Sequence, residues 1–365
     1  MTNVEPKWRW TDSLTEPLAR RLRDGEYTRV EKGKHIEGWL LLPRREDGHC
    51  PGWLRIPSED APVEVLSPLA DTRLEKLPGV VATWLAEGRT IRLLAHKVGS
   101  RATFRLDDSF AKLYRKDRHL MVRWEHFPHE LEGGWRVPRV LSWDGKLRLL
   151  VAEGVPGEAL HDRWRHGRGV AEDGDRIASL LGWLRERPLL DTPPPHTVAE
   201  ESRILRDRVP ELSEFVVDPP TGVGDVVDRV IEALESDPRG EEFVTGHRDL
   251  HDKQILIDGP GEGALIDLDL ATLVPAALDT GNILAHVRLR AFQGNDLPWQ
   301  KIAGRITDAA ETSSLRGSIH RWTAATLLRL TLIYSRRRRA KGQLEAMLES
   351  TIQALEQRGE WEGIL

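Results

Sequence analysis

The chain has 365 residues, 39% of them hydrophobic and 30% charged, which is enough material for roughly two domains at ~100–200 residues each. A single cysteine, Cys50, excludes an internal disulfide or a thiolate metal cage and fits a reducing compartment. Basic residues number 53 against 58 acidic ones, a formal charge of −5, which argues against a nucleic-acid or anionic-membrane partner.

The amino-terminal segment lacks the apolar core of a secretory signal. The most apolar stretch, around Leu327–Ile333, is broken by arginine well short of the ~18–20 residues of a membrane span. A cytoplasmic protein is therefore expected. Nothing in the pattern separates monomer from homodimer.

In chain order, Ser13–Glu16 has the form of a capping box, and Leu14, Leu18 and Leu22 follow at helical spacing. The strings GWLLLP (38–43) and GWLRIP (52–57), 14 residues apart, predict two strands of a local hairpin-like unit. Leu74, Leu77, Val81, Trp84 and Leu85 line one side of a predicted helix that ends near Gly88. From Thr90 the pattern turns to strands: Thr90–Ala95, Ala102–Leu106 and Ser109–Tyr114, then Arg136–Leu141 and Leu147–Val151 after a predicted helix over Arg118–His126.

The Pro/Gly break at Gly154–Gly157 ends this region. Helices are predicted beyond it over Arg176–Arg187, Val198–Arg208, Gly224–Glu235, Gln300–Thr312, Ser318–Ser335 and Gly342–Gln357. One β-hairpin interrupts them, Gln254–Asp258 with Gly263–Asp267. The expected fold is α+β with two lobes. Residues 1–88 are read as an N-terminal extension packing on the first lobe, 89–153 as the β-rich lobe, and 154–365 as the helical lobe that contains the hairpin.

The chemistry sits around that hairpin. His247–Gln254 (HRDLHDKQ) matches the kinase catalytic-loop pattern H-R-D-L-x-x-x-N with glutamine in the last place. Phosphoryl transfer needs a carboxylate to position the acceptor hydroxyl, which suits Asp249, and oxygen ligands for Mg²⁺. Gln254 and Asp267 suit the second task, because Mg²⁺ favours carboxylate and carbonyl oxygens and keeps several waters. A hairpin that returns on itself brings positions 254 and 267 side by side. Zinc held by His247 and His251 is a weaker reading, because no third ligand has suitable spacing. Asp269 is read equally as support for the metal site or as a cap of the turn. Asp252 and Glu201 are acids that an acceptor cleft could use.

Upstream, Lys112 on the third strand of the β region, flanked by apolar residues, is the candidate phosphate-orienting lysine. The segment His96–Arg101 would cover the phosphates, with Ser100 and backbone N–H groups as contacts. The carboxylate that holds Lys112 is expected from the following helix, with Glu125 as the choice and Glu130 as the alternative.

These residues, together with Leu150–Leu160 and Pro275–Asp279, resemble the aminoglycoside phosphotransferase and choline kinase-like small-molecule kinases over about residues 90–290. The resemblance implies a protein-kinase-like bilobal fold and ATP or GTP with Mg²⁺ as cofactors. It places the backbone of Glu153 and Gly154 at the adenine-contacting hinge, and Asp279 as a buttress of the catalytic loop. The family usually carries Asn at the place of Gln254 and Gly at the place of Arg248. The short stretch between Asp267 and Asp279 leaves no room for an activation loop, so a small-molecule hydroxyl acceptor is expected, with an aminoglycoside as the family analogue. A kinase of a sugar or biosynthetic intermediate, or a silent nucleotide-binding pseudokinase, are the alternatives.

Overall fold

The computed structural model describes residues 27–32, 39–43, 53–56, 64–116, 124, 126–188, 194–215, 222–236, 242–310, 315–335 and 342–356. The predicted helix at 13–22 and most of that at 118–126 lie outside them.

Four strands, β1 (Tyr27–Lys32), β2 (Trp39–Pro43), β3 (Trp53–Ile56) and β4 (Glu64–Leu66), form an antiparallel sheet in sequence order. The two similar GWL strings pair with each other, Trp39 opposite Ile56 and Leu41 opposite Leu54, as the hairpin reading expects. Helix α1 (Leu77–Ala86) follows. Its core face is set by Leu74 just before it and by Leu77, Val80 and Trp84, all buried. Val81 is only half-buried and Leu85 is 63% exposed, so the buried stripe is rotated from the predicted one.

A second sheet carries β5 (Ile91–Lys97), β6 (Arg101–Leu106), β7 (Ser109–Tyr114), β9 (Val140–Asp144) and β10 (Leu149–Glu153), in the order β5-β6-β7-β10-β9. The two-residue Asp107–Asp108 turn closes β6 on β7, with Asp107 at φ +52°, the left-handed geometry that tight hairpins require. Ala102, Phe104, Leu106, Ala111, Leu113 and Leu149 meet α1 in one apolar cluster. Trp84 stands edge-on to Phe104 at 5.7 Å.

The predicted run Arg136–Leu141 is not one strand. Trp135–Arg136 is a short strand, β8, in a different sheet, and β9 starts at Val140. Pro138 lies between them, and proline has no N–H to give a continuous ladder.

After Glu153 the chain is mainly helical: α2 (Leu160–Arg165), α3 (Asp173–Arg185), α4 (Val198–Phe215), α5 (Val223–Glu235), α6 (Leu278–Phe292), α7 (Trp299–Ala309), α8 (Arg316–Tyr334) and α9 (Gln343–Glu356). In α5 the buried set Val226, Val227, Val230, Ile231 and Leu234 keeps to one stripe, the spacing that made it legible. Helix α6 was not anticipated. It is buried nearly all round, with Asp279, Thr280, Asn282 and Arg290 inside among the apolar residues, so its sequence has no polar face to mark its period. Gly281 lets it approach α8, where a Cβ would lie 2.6 Å from the backbone of Trp322.

Small β elements punctuate the helices. β13 (Ile255–Gly259) and β14 (Glu262–Leu265) form the predicted hairpin and join β11 (Glu158–Ala159) and β8 in the order β11-β13-β14-β8. β12 (Phe243–Gly246) pairs with β15 (Thr272–Pro275). The catalytic-loop sequence therefore lies between β12 and β13, and Ile266–Asp269 between β14 and β15. The two antiparallel pairs thus bring both segments together, with the Ile266 N–H donating to the Gln254 carbonyl.

Candidate active site

β12 delivers His247 into a loop that is pinned from several sides. The backbone N–H of His247 donates to the Asp279 carboxylate at 2.6 Å, and its Nε2 meets the Ile266 carbonyl at 3.0 Å. Asn282 Nδ2 donates to the Arg248 carbonyl at 2.9 Å. Burial pushes the Asp279 carboxyl up, opposed by His247 and by the His247 and Arg248 backbone N–H groups. Arg248 itself sits at φ +70°, which is uncommon for a residue with a side chain. Glycine adopts that conformation without strain, which explains the residue usual at this place in the family the sequence resembles. Asp249, next along, is exposed.

Gln254 is 4% exposed, and its Oε1 accepts the His251 backbone N–H at 3.1 Å. Its carbonyl accepts the Ile266 N–H at 2.9 Å, which sets it one residue short of Asp267 across the hairpin base. The backbones are adjacent as expected, whereas the amide oxygen is engaged within its own loop.

Asp267 adopts φ +66° and leads into a short 3-10 turn, Leu268–Leu270. That turn presents Asp267 and Asp269 together. The Lys112 ammonium reaches across from the central strand β7 to Asp267 Oδ1, and to Asp269 Oδ1 at 2.9 Å. Arg101, first residue of β6, donates through Nη1 to Asp269 Oδ2, and to Asp267 Oδ1 at 3.4 Å. The Tyr114 hydroxyl donates to Asp269 Oδ1 at 2.9 Å. Burial raises the Asp267 pKa, but Lys112 and Arg101 outweigh it and hold the carboxyl well below the usual range. Burial and the Asp269 charge push the Tyr114 phenol up, so it stays a hydrogen-bond donor.

The partners of Lys112 are thus Asp267 and Asp269, both from the other half of the chain. Glu130 is exposed, and Glu125 lies outside the described residues. Asp269 has a larger part than its reading as a turn cap, and Arg101 and Tyr114 were missed. The alternation of β7, which puts residues 112 and 114 on one face, was the available signal for Tyr114.

Ser100 belongs to the tight turn before β6. Its N–H donates to the Lys97 carbonyl and its carbonyl accepts from Arg115, both at 2.9 Å. A buried carboxylate, Asp71, braces this turn, meeting His96 Nε2 at 2.9 Å and the Gly99 N–H at 2.6 Å. At the junction after β10, Glu153 Oε1 accepts the Arg139 N–H at 2.9 Å. The adjoining Gly154 packs so closely on the Asp108 carbonyl that a Cβ there would overlap it.

Two other acids do not face a cleft. Asp252 is fully buried, held by Arg290 at 2.6 and 2.9 Å and by His161 at 3.0 Å. Glu201 is 1% exposed and locked between His196 at 2.9 Å and Arg329 at 3.0 Å. Burial raises its pKa, but Arg329 and His196 bring it down to about 2. Its neighbour Glu200 is half-buried, 3.1 Å from His196 Nδ1 and 3.4 Å from Arg248.

Mg²⁺ asks little of a protein: one or two carboxylates, with phosphate and water oxygens completing its shell. Asp267 and Asp269 are the pair that could meet that demand, Asp267 with 31% of its side-chain surface open and Asp269 with 3%. Among the described residues no group of three or more His, Cys, Asp or Glu is arranged to hold a metal unaided.

The model of a phosphotransferase enzyme family matches residues 86–298. Comparison with the curated proteins finds no match. Solved structures with a similar fold include a choline/ethanolamine kinase family protein from Mesorhizobium loti (17% identity, TM-score 0.54, covering 79% of this chain and 95% of that one). Another is the choline kinase LicA from Streptococcus pneumoniae (11% identity, TM-score 0.51, 77% and 99%). A thermostable mutant of aminoglycoside phosphotransferase APH(4)-Ia is a third (15% identity, TM-score 0.50, 73% and 98%).

Proposed function

This chain belongs to the phosphotransferase enzyme family, and on that footing we propose that it moves the γ-phosphoryl group of ATP or GTP onto a hydroxyl of a small molecule. The observation that carries the reading is the meeting of Lys112 with Asp267 and Asp269, beside a loop whose exposed acid is Asp249.

In this reading Lys112 orients the nucleotide phosphates, and the turn around Ser100 covers them. Asp267 and Asp269, with Gln254 once its amide leaves His251, would hold Mg²⁺. Bound there, the ion would offset charge on the phosphate oxygens. The backbone at Glu153 and Gly154 would meet the base. Asp249 aligns the acceptor hydroxyl and takes its proton as the oxygen forms a bond to the γ-phosphorus. The bond from that phosphorus to the β-phosphate oxygen breaks, and the diphosphate leaves. Positioning and fixed charge supply most of the acceleration.

The short path from Asp267 to Asp279, a 3-10 turn followed by β15, supports a small acceptor over a protein one. An aminoglycoside, a sugar or a biosynthetic alcohol fits equally at this level. The tie between Gln254 and the His251 N–H favours a second reading, a nucleotide binder that does not transfer phosphate.

The test is nucleotide consumption by the purified protein with Mg²⁺, ATP or GTP, and a panel of aminoglycosides, amino alcohols and sugars. Acceptor-dependent diphosphate release supports the kinase. Nucleotide binding with no turnover on any acceptor, and no slow hydrolysis without one, supports the silent binder.

A further inference from the structure

We propose that Arg101 is a second phosphate-binding cation, held by Asp267 and Asp269 while no nucleotide is present and transferred to phosphate oxygens when one binds. The proposal rests on the kinase reading and deepens it.

Position is the first argument. Arg101 follows directly on the turn that would cover the phosphates, whose shape is set by Gly99 at φ +66° and by the Asp71 brace. In the sheet it lies opposite Tyr114, two pairs along from the row in which Thr103 faces Lys112, so by strand alternation its side chain shares the site's face. It reaches the same two carboxylates as Lys112.

Charge is the second argument. Lys112 and Arg101 balance Asp267 and Asp269 one for one, so the cluster is neutral. A nucleoside triphosphate brings surplus negative charge even with its divalent ion. That ion competes with both cations for the carboxylates, and the freed cations find the phosphates beside them. The Arg101 side chain keeps 29% of its surface open, so its guanidinium is within reach of a ligand arriving from solvent.

The third argument is the residue type. Both carboxylate contacts of Arg101 run through Nη1. Its planar fork therefore has Nε and Nη2 for further oxygens, and guanidinium matches phosphate in a two-point geometry that ammonium cannot reproduce.

The test compares wild-type, Arg101→Gln and Arg101→Lys full-length proteins by calorimetric titration with ATP and with adenosine (GTP and guanosine if the wild type prefers them). Mn²⁺ alone is titrated as a probe of the carboxylates. Arg101→Gln is expected to weaken the triphosphate about ten- to a hundredfold, leave the nucleoside within about twofold, and tighten Mn²⁺ because a competing cation is gone. Arg101→Lys should recover part of the triphosphate affinity, and it decides the matter if the glutamine variant does not fold. Equal losses for triphosphate and nucleoside, or an unchanged triphosphate affinity in either variant, overturn the proposal. A wild type that binds no nucleotide sinks the kinase reading with it, whereas a wild type that binds and a variant that matches it sink Arg101 alone.

Discussion

Lys112 and Asp269, 157 positions apart in the chain, meet at 2.9 Å. One stands on the middle strand of the β region and the other on a three-residue turn in the helical half. The contact joins the two halves at the point where the chemistry is proposed, so the proposed nucleotide binding would depend on the way the halves pack.

Replacing Lys112 by Met removes one of two cations from the Asp267–Asp269 pair. Nucleotide affinity is expected to fall at least tenfold, and Asp267→Ala should remove the Mg²⁺-dependent part of that affinity. Calorimetric titration of both variants with and without Mg²⁺ checks this. An Asp267→Ala protein that still gains affinity from Mg²⁺ contradicts the metal assignment.

Asp249 is exposed and lies in a loop fixed by Asp279 and Asn282, so its loss should leave the fold intact. Asp249→Asn is expected to lower turnover by ~10²–10⁴-fold with nucleotide affinity retained. Steady-state rates beside a binding titration make the check, and full activity would remove Asp249 from the proton-accepting role.

The buried Asp252–Arg290 pair makes a stability prediction with a definite pH sign. Burial raises the Asp252 pKa, but Arg290 and His161 outweigh it and hold it far below the unfolded value. The stability it confers is therefore present above about pH 4 and is lost as pH falls toward the folded pKa. Arg290→Met leaves the buried carboxylate without its cation, held only by the His161 hydrogen bond, and should cost about 3–5 kcal/mol at pH 7. The gap between wild type and variant should narrow as the pH drops below about 4, read from urea unfolding across pH. A gap that stays constant down to pH 2.5 would rule out the Asp252 charge as its source.

Gly154 is the other structural test. Any Cβ there overlaps the Asp108 carbonyl, a backbone atom of the β6–β7 turn that cannot swing aside as a side chain would. Gly154→Ala is expected to destabilise the protein by about 1–3 kcal/mol and to weaken nucleotide binding through the displaced junction. Gly182→Ala, where nothing lies within 4 Å, is the matched control and should be neutral or slightly stabilising. Thermal unfolding of the two variants, with equal melting temperatures as the contrary result, settles it.

Local chemistry was plain in the residue order. The HRD loop, the hairpin from Ile255 to Leu265, the strand bearing Lys112 and most helices follow from spacings of a few residues, because turns, strand alternation and one-sided burial are short-range matters. Helix α6 was hidden because burial on every side erases the polar face that reveals a period. The partners of Lys112, the place of Arg101, the Tyr114–Asp269 bond and the bracing of Gly99 by Asp71 were decided only when the chain packed. Each joins positions between 28 and 168 residues apart, and no local pattern records which distant carboxylate a cation will meet. The order of residues determined which chemistry the chain carries; the packing of its two halves decided which side chains carry it together.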